Sequence, residues 1–231
     1  MTETTTPPTP GPGLFARFIG VLFSPRATFE KIVANPRVLG AMFLVALISA
    51  ITVGTFMSSE VGKTAILEQM SRGNPNPQAL AGMERMLPYM GIMYAVSSFI
   101  FVPISTVVMS AILYMIFNVI MGGTANFRQM MSIVAHSQFV PVVSAIFGTI
   151  INYTRGTIAS TTTLAGVATM LEENSFLYRF LSAIELFNVW WVFVLSVGLA
   201  VLYRKKTSSV AITLFTIYGI VALVIAYFRS R

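Results

Sequence analysis

Two ionisable side chains stand inside long apolar runs of this chain, His136 in SIVAHSQFVP and Glu185 in SAIELFNVWW. A charge surrounded by hydrocarbon is costly, so each is a candidate functional group until a structural partner accounts for it. Histidine titrates near neutral pH, which would suit His136 to a proton-responsive role. Its structural reading is a polar contact between helices. The Gly122-Gly123 turn makes the helices on either side antiparallel neighbours, and that brings Asn118 within reach of His136. Glu185 lies well before the Arg204-Lys205-Lys206 run that closes its own apolar segment, so it falls near the opposite membrane boundary. Arg155, in INYTRG, is its candidate partner there. Glu185 therefore reads either as half of an outer ion pair or as part of an ion path.

The inventory for catalysis is poor. The chain has one histidine, no cysteine and no aspartate, and its glutamates are scattered. No HExxH, GxSxG, P-loop or GxGxxG is present. GGTANF contains the glycines of a phosphate cradle but not the lysine, and it reads as a turn between helices. No catalytic residue, metal site or cofactor is expected. The net charge of +7 does not imply nucleic acid either, because the cations flank apolar segments and no basic patch is interleaved with exposed aromatics.

The elements that must position these residues are helices in a bilayer. Hydrophobic residues make up 55% of the chain and charged residues 10%, against about 25% charged in an ordinary soluble domain. The apolar residues come in runs of roughly 20, the length that crosses a ~30 Å hydrocarbon core. The expected fold is an all-α polytopic bundle of about five spans, near 37–57, 90–121, 128–151, 180–203 and 208–228. Residues 1–13, polar and proline-rich, read as a disordered tail.

Residues 14–36 read as amphipathic helices, lying on the membrane surface or packed on the bundle end. Ser24-Pro25 and Asn35-Pro36 look like helix starts, each an N-cap residue before a proline. Asn76-Pro77 repeats the signal, so two short helices broken at Gly73-Asn74-Pro75 are expected. Pro103 and Pro141 should kink the second and third spans. Ala46, Ala50 and Gly54 recur every four residues and form a small-residue face on which another helix can pack closely.

Charge sets an expected orientation. With the N-terminus inside, the inner segments hold Arg17, Arg26, Lys31, Arg37, Arg128, Arg204, Lys205 and Lys206 against Glu3 and Glu30, a net +6. The two outer loops balance to zero. The positive-inside rule then places the N-terminus in the cytoplasm and the C-terminus outside.

FIGVLFSPRATFEKIVANPRVLGAMFLVALIS resembles the N-terminal part of bacterial Yip1-domain proteins, and GGTANFRQMMSIVAHSQFVPVV resembles their central segment. INYTRG, SAIELFNVWWVFVLSVGLAVLYRKK and the last span continue the likeness, which covers about residues 14–228. The resemblance implies a five-span helical bundle with a cytoplasmic N-terminus, in a bacterial cytoplasmic membrane. Eukaryotic members act in vesicle traffic and bind Rab GTPases and one another. Their acidic, aromatic motif is absent here, which puts Rab-type GTPase binding in doubt.

The expected function is non-catalytic: association with membrane lipid and with other membrane proteins or a second copy. The alternative is a small transporter or channel built on Asn118, His136, Ser137, Gln138, Glu185 and Asn188. The two are distinguished by whether those side chains converge on one cavity.

Overall fold

The structure, a computed structural model, describes residues 13–73, 76–158, 162–166, 170, 172 and 175–229. Residues 1–12 of the expected tail (1–13) and residues 74–75 of the expected break at Gly73-Asn74-Pro75 lie outside the described residues. Eleven α-helices run through the described chain: α1 Leu14–Phe23, α2 Pro25–Ala34, α3 Leu39–Ser58, α4 Glu60–Gly73, α5 Pro77–Met86, α6 Met90–Tyr114, α7 Phe127–Ser137, α8 Phe139–Arg155, α9 Phe176–Ser182, α10 Leu186–Leu202 and α11 Thr207–Arg229. The protein is an all-α polytopic membrane bundle. Four described segments are long and apolar enough to cross a bilayer: Leu39–Ser58, Pro77–Ile120, Phe127–Arg155 and Thr207–Phe228. Helix α10 has 17 residues, at the short end of the crossing range of ~17–25.

Local chemistry explains where the helices start and stop. Pro25 opens α2 and Pro77 opens α5, where the Asn76 side chain accepts the Gln78 N–H at 3.0 Å. The Asn35-Pro36 signal misplaces its helix. Asn35 ends α2, and α3 begins only at Leu39 after an open stretch at Pro36–Val38. Helix α6 continues through Pro103 without interruption. The third apolar run does break, at Gln138, three residues before Pro141. A proline ring clashes with the carbonyl four residues back, which here is the last residue of α7.

The fourth run differs most from expectation. It is not one helix over 180–203: α9 ends at Ser182, and α10 starts after Glu185. Thr163 and Glu185 pair as an isolated β-bridge that holds the break open.

The core sits where α2, α7 and α10 meet, around the fully buried Phe29, Met130, Ile133 and Leu199. Gly198 permits that crossing, because a Cβ there would come within 2.7 Å of Ile133 and 3.2 Å of the Phe29 ring. Helices α1 and α2 pack on this core through Val21, Phe29 and Ile32, while Phe15 and Phe23 of α1 stay exposed. Helices α3 and α6 pack along one another. A Cβ on Gly54 would meet the Gly91 carbonyl at 3.1 Å, and one on Gly91 would meet the Gly54 carbonyl at 2.7 Å. Exposed Ile100, Ile104 and Val108 on α6 and Ile220, Val224 and Phe228 on α11 give those helices a lipid-compatible outer face.

Candidate functional site: a cationic cleft at one end of the bundle

The residues singled out from sequence are spread over several separate places. Asn118 lies in a widened helical stretch, Met115–Ile120, that carries α6 to its end. Wide turns of this kind free backbone and side-chain groups for other partners. The Asn118 amide donates to the Ala125 carbonyl at 2.8 Å, and its oxygen accepts the Tyr203 hydroxyl at 2.5 Å. The side chain thus ties the 121–126 turn to the end of α10.

His136 does not bond Asn118. It is wholly buried on α7 and its Nδ1–H donates to the Ser132 carbonyl at 2.7 Å, one turn back on its own helix. Its Nε2 has no hydrogen-bond partner, and the ring stands edge-to-face on Phe139 with centroids 5.4 Å apart. The antiparallel arrangement of the neighbouring helices did form. The amide of Asn118 was simply claimed by the turn that makes the arrangement possible.

Glu185 is not paired with Arg155, which is exposed at the end of α8. The carboxylate caps α10 instead, accepting the Asn188 N–H at 2.9 Å and the Thr162 hydroxyl. A helix N-terminus favours a negative group, and the break at Ala183–Glu185 puts one there. Ala46, Ala50 and Gly54 are buried, with Gly54 on the α6 side of α3.

Two of the polar candidates for a transport path share a cavity. Gln138 and Asn188 line one of about 380 Å³ together with Ser49, Ser105 and Trp191. Ser137 is buried and bonds the Ile133 carbonyl at 2.8 Å. Thr106, Ser110 and Ser196 also turn back on their own helices, to the carbonyls of Val102, Thr106 and Val192, whereas the buried Ser132 hydroxyl donates to the Arg37 carbonyl at 3.5 Å.

A cleft that the sequence did not reveal lies beside Asn118. It has a volume of about 560 Å³ and is walled by the Gly122–Ala125 turn, Gln129, Tyr203, Arg204 and Lys205. Several local features build it. Gly122 takes φ 70°, a left-handed turn that glycine adopts without strain. Gly123 admits the Tyr203 ring, and Tyr203 stacks on Phe117 at 5.3 Å. Asn126 and Gln129 form a capping box that starts α7, and the Gln129 amide also donates to the Val33 carbonyl of α2 at 3.2 Å. Arg204 holds φ 52°, where glycine usually ends a helix. Sequence offered two signals, the GG turn and the RKK run, but nothing local shows that they meet.

This end of the bundle is strongly basic. Among the described residues it carries Arg17, Arg26, Lys31, Arg37, Arg128, Arg204, Lys205 and Lys206, with Glu30 as the acid, paired to Arg26 at 3.6 Å. The opposite end mixes signs, with Lys63 on Glu60 and Arg72 on Glu68. Among the described residues no group of three or more His, Cys, Asp or Glu side chains is placed to hold a metal ion.

A helical membrane bundle with an N-terminal helical hairpin and one basic end is the class that fold and cleft define. The Yip1 domain matches residues 19–228, nearly the whole described chain, and the protein belongs to the Yip1 family. It is also 26% identical over 198 residues to the membrane protein YknW of Bacillus subtilis (strain 168), covering 81% of this chain and 77% of that one. No solved structure matches it.

Proposed function

We propose that the protein is a non-catalytic membrane organiser, anchored at its basic end to anionic lipid and associating with other membrane proteins or with itself. The observation that carries this reading is the basic end itself: among the described residues eight cations and one carboxylate, and an adjoining helix that exposes Phe15 and Phe23. Cations at headgroup level are drawn to an anionic leaflet, by about 1 kcal/mol each. Exposed aromatics beside them suit the apolar side of the same boundary.

In this reading α3, α6, α7–α8, α10 and α11 cross the bilayer. The basic end faces the cytoplasm, by the positive-inside rule, and α11 ends outside. The bacterial source of the relative supports a cytoplasmic membrane. Helix α5 has no fully buried residue: Met83 packs on the cluster of Phe56, Met57, Ile66 and Met90, while Met86 stays exposed to a partner on the other side.

Photo-crosslinking in the native membrane from α1 and from the 58–89 segment tests the proposal. It predicts reproducible lipid and protein adducts, and recovery of unmodified monomer alone would contradict it. A second reading, a small transporter, draws on the cavity at Gln138 and Asn188. It requires solute flux in liposomes that Gln138→Leu and Asn188→Leu abolish.

A further inference from the structure

Helix α1 is turned inside out. Its one charged residue, Arg17, is 3% exposed, while Phe15, Ile19 and Phe23 form an outer stripe that is 76%, 40% and 76% exposed. These three recur every four residues, so they share one helix face. Apart from Arg17, α1 has no polar side chain to offer water. A helix lying on a membrane surface instead carries its charges outward and turns its apolar side down into lipid.

Helix α2 has that ordinary arrangement. Arg26, Glu30 and Lys31 are exposed, and Phe29 and Ile32 are buried. The outer surface of the hairpin thus changes from apolar to charged at Ser24-Pro25. The joint between the two helices is fixed. A Cβ on Gly20 would collide with the Thr28 hydroxyl, which donates to the Ser24 carbonyl at 2.9 Å. The depth of one helix therefore sets the depth of the other.

Two contacts put α1 beside the crossing segments rather than above them. Phe18 packs on Phe139 with ring centroids 5.0 Å apart. Phe139 lies ~18 Å along the Phe127–Arg155 segment at ~1.5 Å per residue. With Arg128 at the headgroups, that is well inside a ~30 Å hydrocarbon core. At the other end of α1, a Cβ on Gly40 in the first turn of α3 would touch Leu14 at 3.8 Å. Leu39 and Phe43, both exposed, carry the same apolar surface on along α3, a crossing helix.

We propose that α1 is embedded in the hydrocarbon of the cytoplasmic leaflet, where its Phe15-Ile19-Phe23 stripe packs against acyl chains, while α2 stays at headgroup level. The inference rests on the anchoring reading above, which puts the basic end at that leaflet. It adds that α1 meets acyl chains and not headgroups alone, so that the hairpin is a half-inserted element confined to one leaflet.

The test uses full-length protein in liposomes of phosphatidylglycerol and phosphatidylcholine. The chain has no cysteine, so single nitroxide labels go on Ile19→Cys and Phe23→Cys in α1, Lys31→Cys in α2 and Phe43→Cys in α3. All four positions are exposed, and labelling them leaves the core intact. Collisions with oxygen, which concentrates in hydrocarbon, are compared with those of a water-soluble nickel chelate. Oxygen should dominate at Ile19, Phe23 and Phe43, and the chelate at Lys31. Phe23→Trp, a milder change, gives a second reading: phosphatidylcholine brominated in its acyl chains should quench the added fluorescence. If the α1 labels match Lys31, or exclude both reagents while Phe23→Trp escapes quenching, the proposal is overturned. Phosphatidylglycerol adducts that persist on α1 in that case leave the anchoring reading standing. Deep α1 labels in a protein that does not favour phosphatidylglycerol over phosphatidylcholine remove the anchoring reading and keep this one.

Discussion

The Tyr203 hydroxyl donates to the Asn118 oxygen at 2.5 Å across 85 residues of sequence, and that bond joins the end of α10 to the end of α6. With the Asn118 amide on Ala125, it fixes the wall of the cationic cleft. Tyr203→Phe keeps the stack on Phe117 but leaves the Asn118 oxygen without its donor. The expected loss is ~1 kcal/mol, and Asn118→Ala, which also frees Ala125, should lose more. Thermal unfolding in detergent checks this; equal melting for all three proteins would remove the bond from the account.

The α3–α6 contact predicts opposite results for two glycines. Gly91→Ala places a methyl against the Gly54 carbonyl and the Ser58 side chain, so the helices must separate, at a cost of about 1–3 kcal/mol. Gly148→Ala in α8 meets nothing within 4 Å and should be neutral or gain up to ~1 kcal/mol. Denaturation of the two variants side by side decides the point, and a destabilised Gly148→Ala would show that the packing is wrong.

His136 is the chain's single histidine and is wholly buried, with its Nδ1–H held by Ser132. Diethyl pyrocarbonate should therefore modify the folded protein slowly and the unfolded protein fast. Rapid labelling in the folded state would restore the proton-pathway reading.

At the far end of the bundle, Glu185 works as a cap. Glu185→Ala should cost ~1 kcal/mol by freeing the first turn of α10, and Glu185→Gln, whose oxygen can still accept from Asn188, should cost less. Arg155→Gln should leave stability unchanged. A double-mutant cycle showing strong Glu185–Arg155 coupling would revive the ion pair.

Arg204 occupies a left-handed backbone position that glycine prefers. Arg204→Gly should raise stability by ~1 kcal/mol while weakening binding to anionic vesicles, because the strained residue contributes its charge to the cleft. Unchanged vesicle binding would show that the strain serves no lipid contact.

Where local chemistry decided the structure, the sequence was readable. The starts at Pro25 and Asn76-Pro77 follow from capping and proline geometry, and the break before Pro141 follows from one steric clash. Asn35-Pro36 failed because the preceding helix used Asn35 as its end. The break before Glu185 was hidden by an unbroken apolar run, since periodicity cannot mark a stop that is made by a bridge to Thr163. The partners of Asn118 depend on contacts between distant elements. No spacing rule reports those.

The most direct test of membrane anchoring and association is in-membrane photo-crosslinking with a reactive residue at Phe15, Phe23 or Met86, each exposed, followed by mass spectrometry. The account predicts anionic phospholipid on the two α1 positions and a reproducible membrane protein, or a second copy, on Met86 of α5. Recovery of unmodified monomer from all three positions, together with solute flux that depends on Gln138 and Asn188, would contradict it.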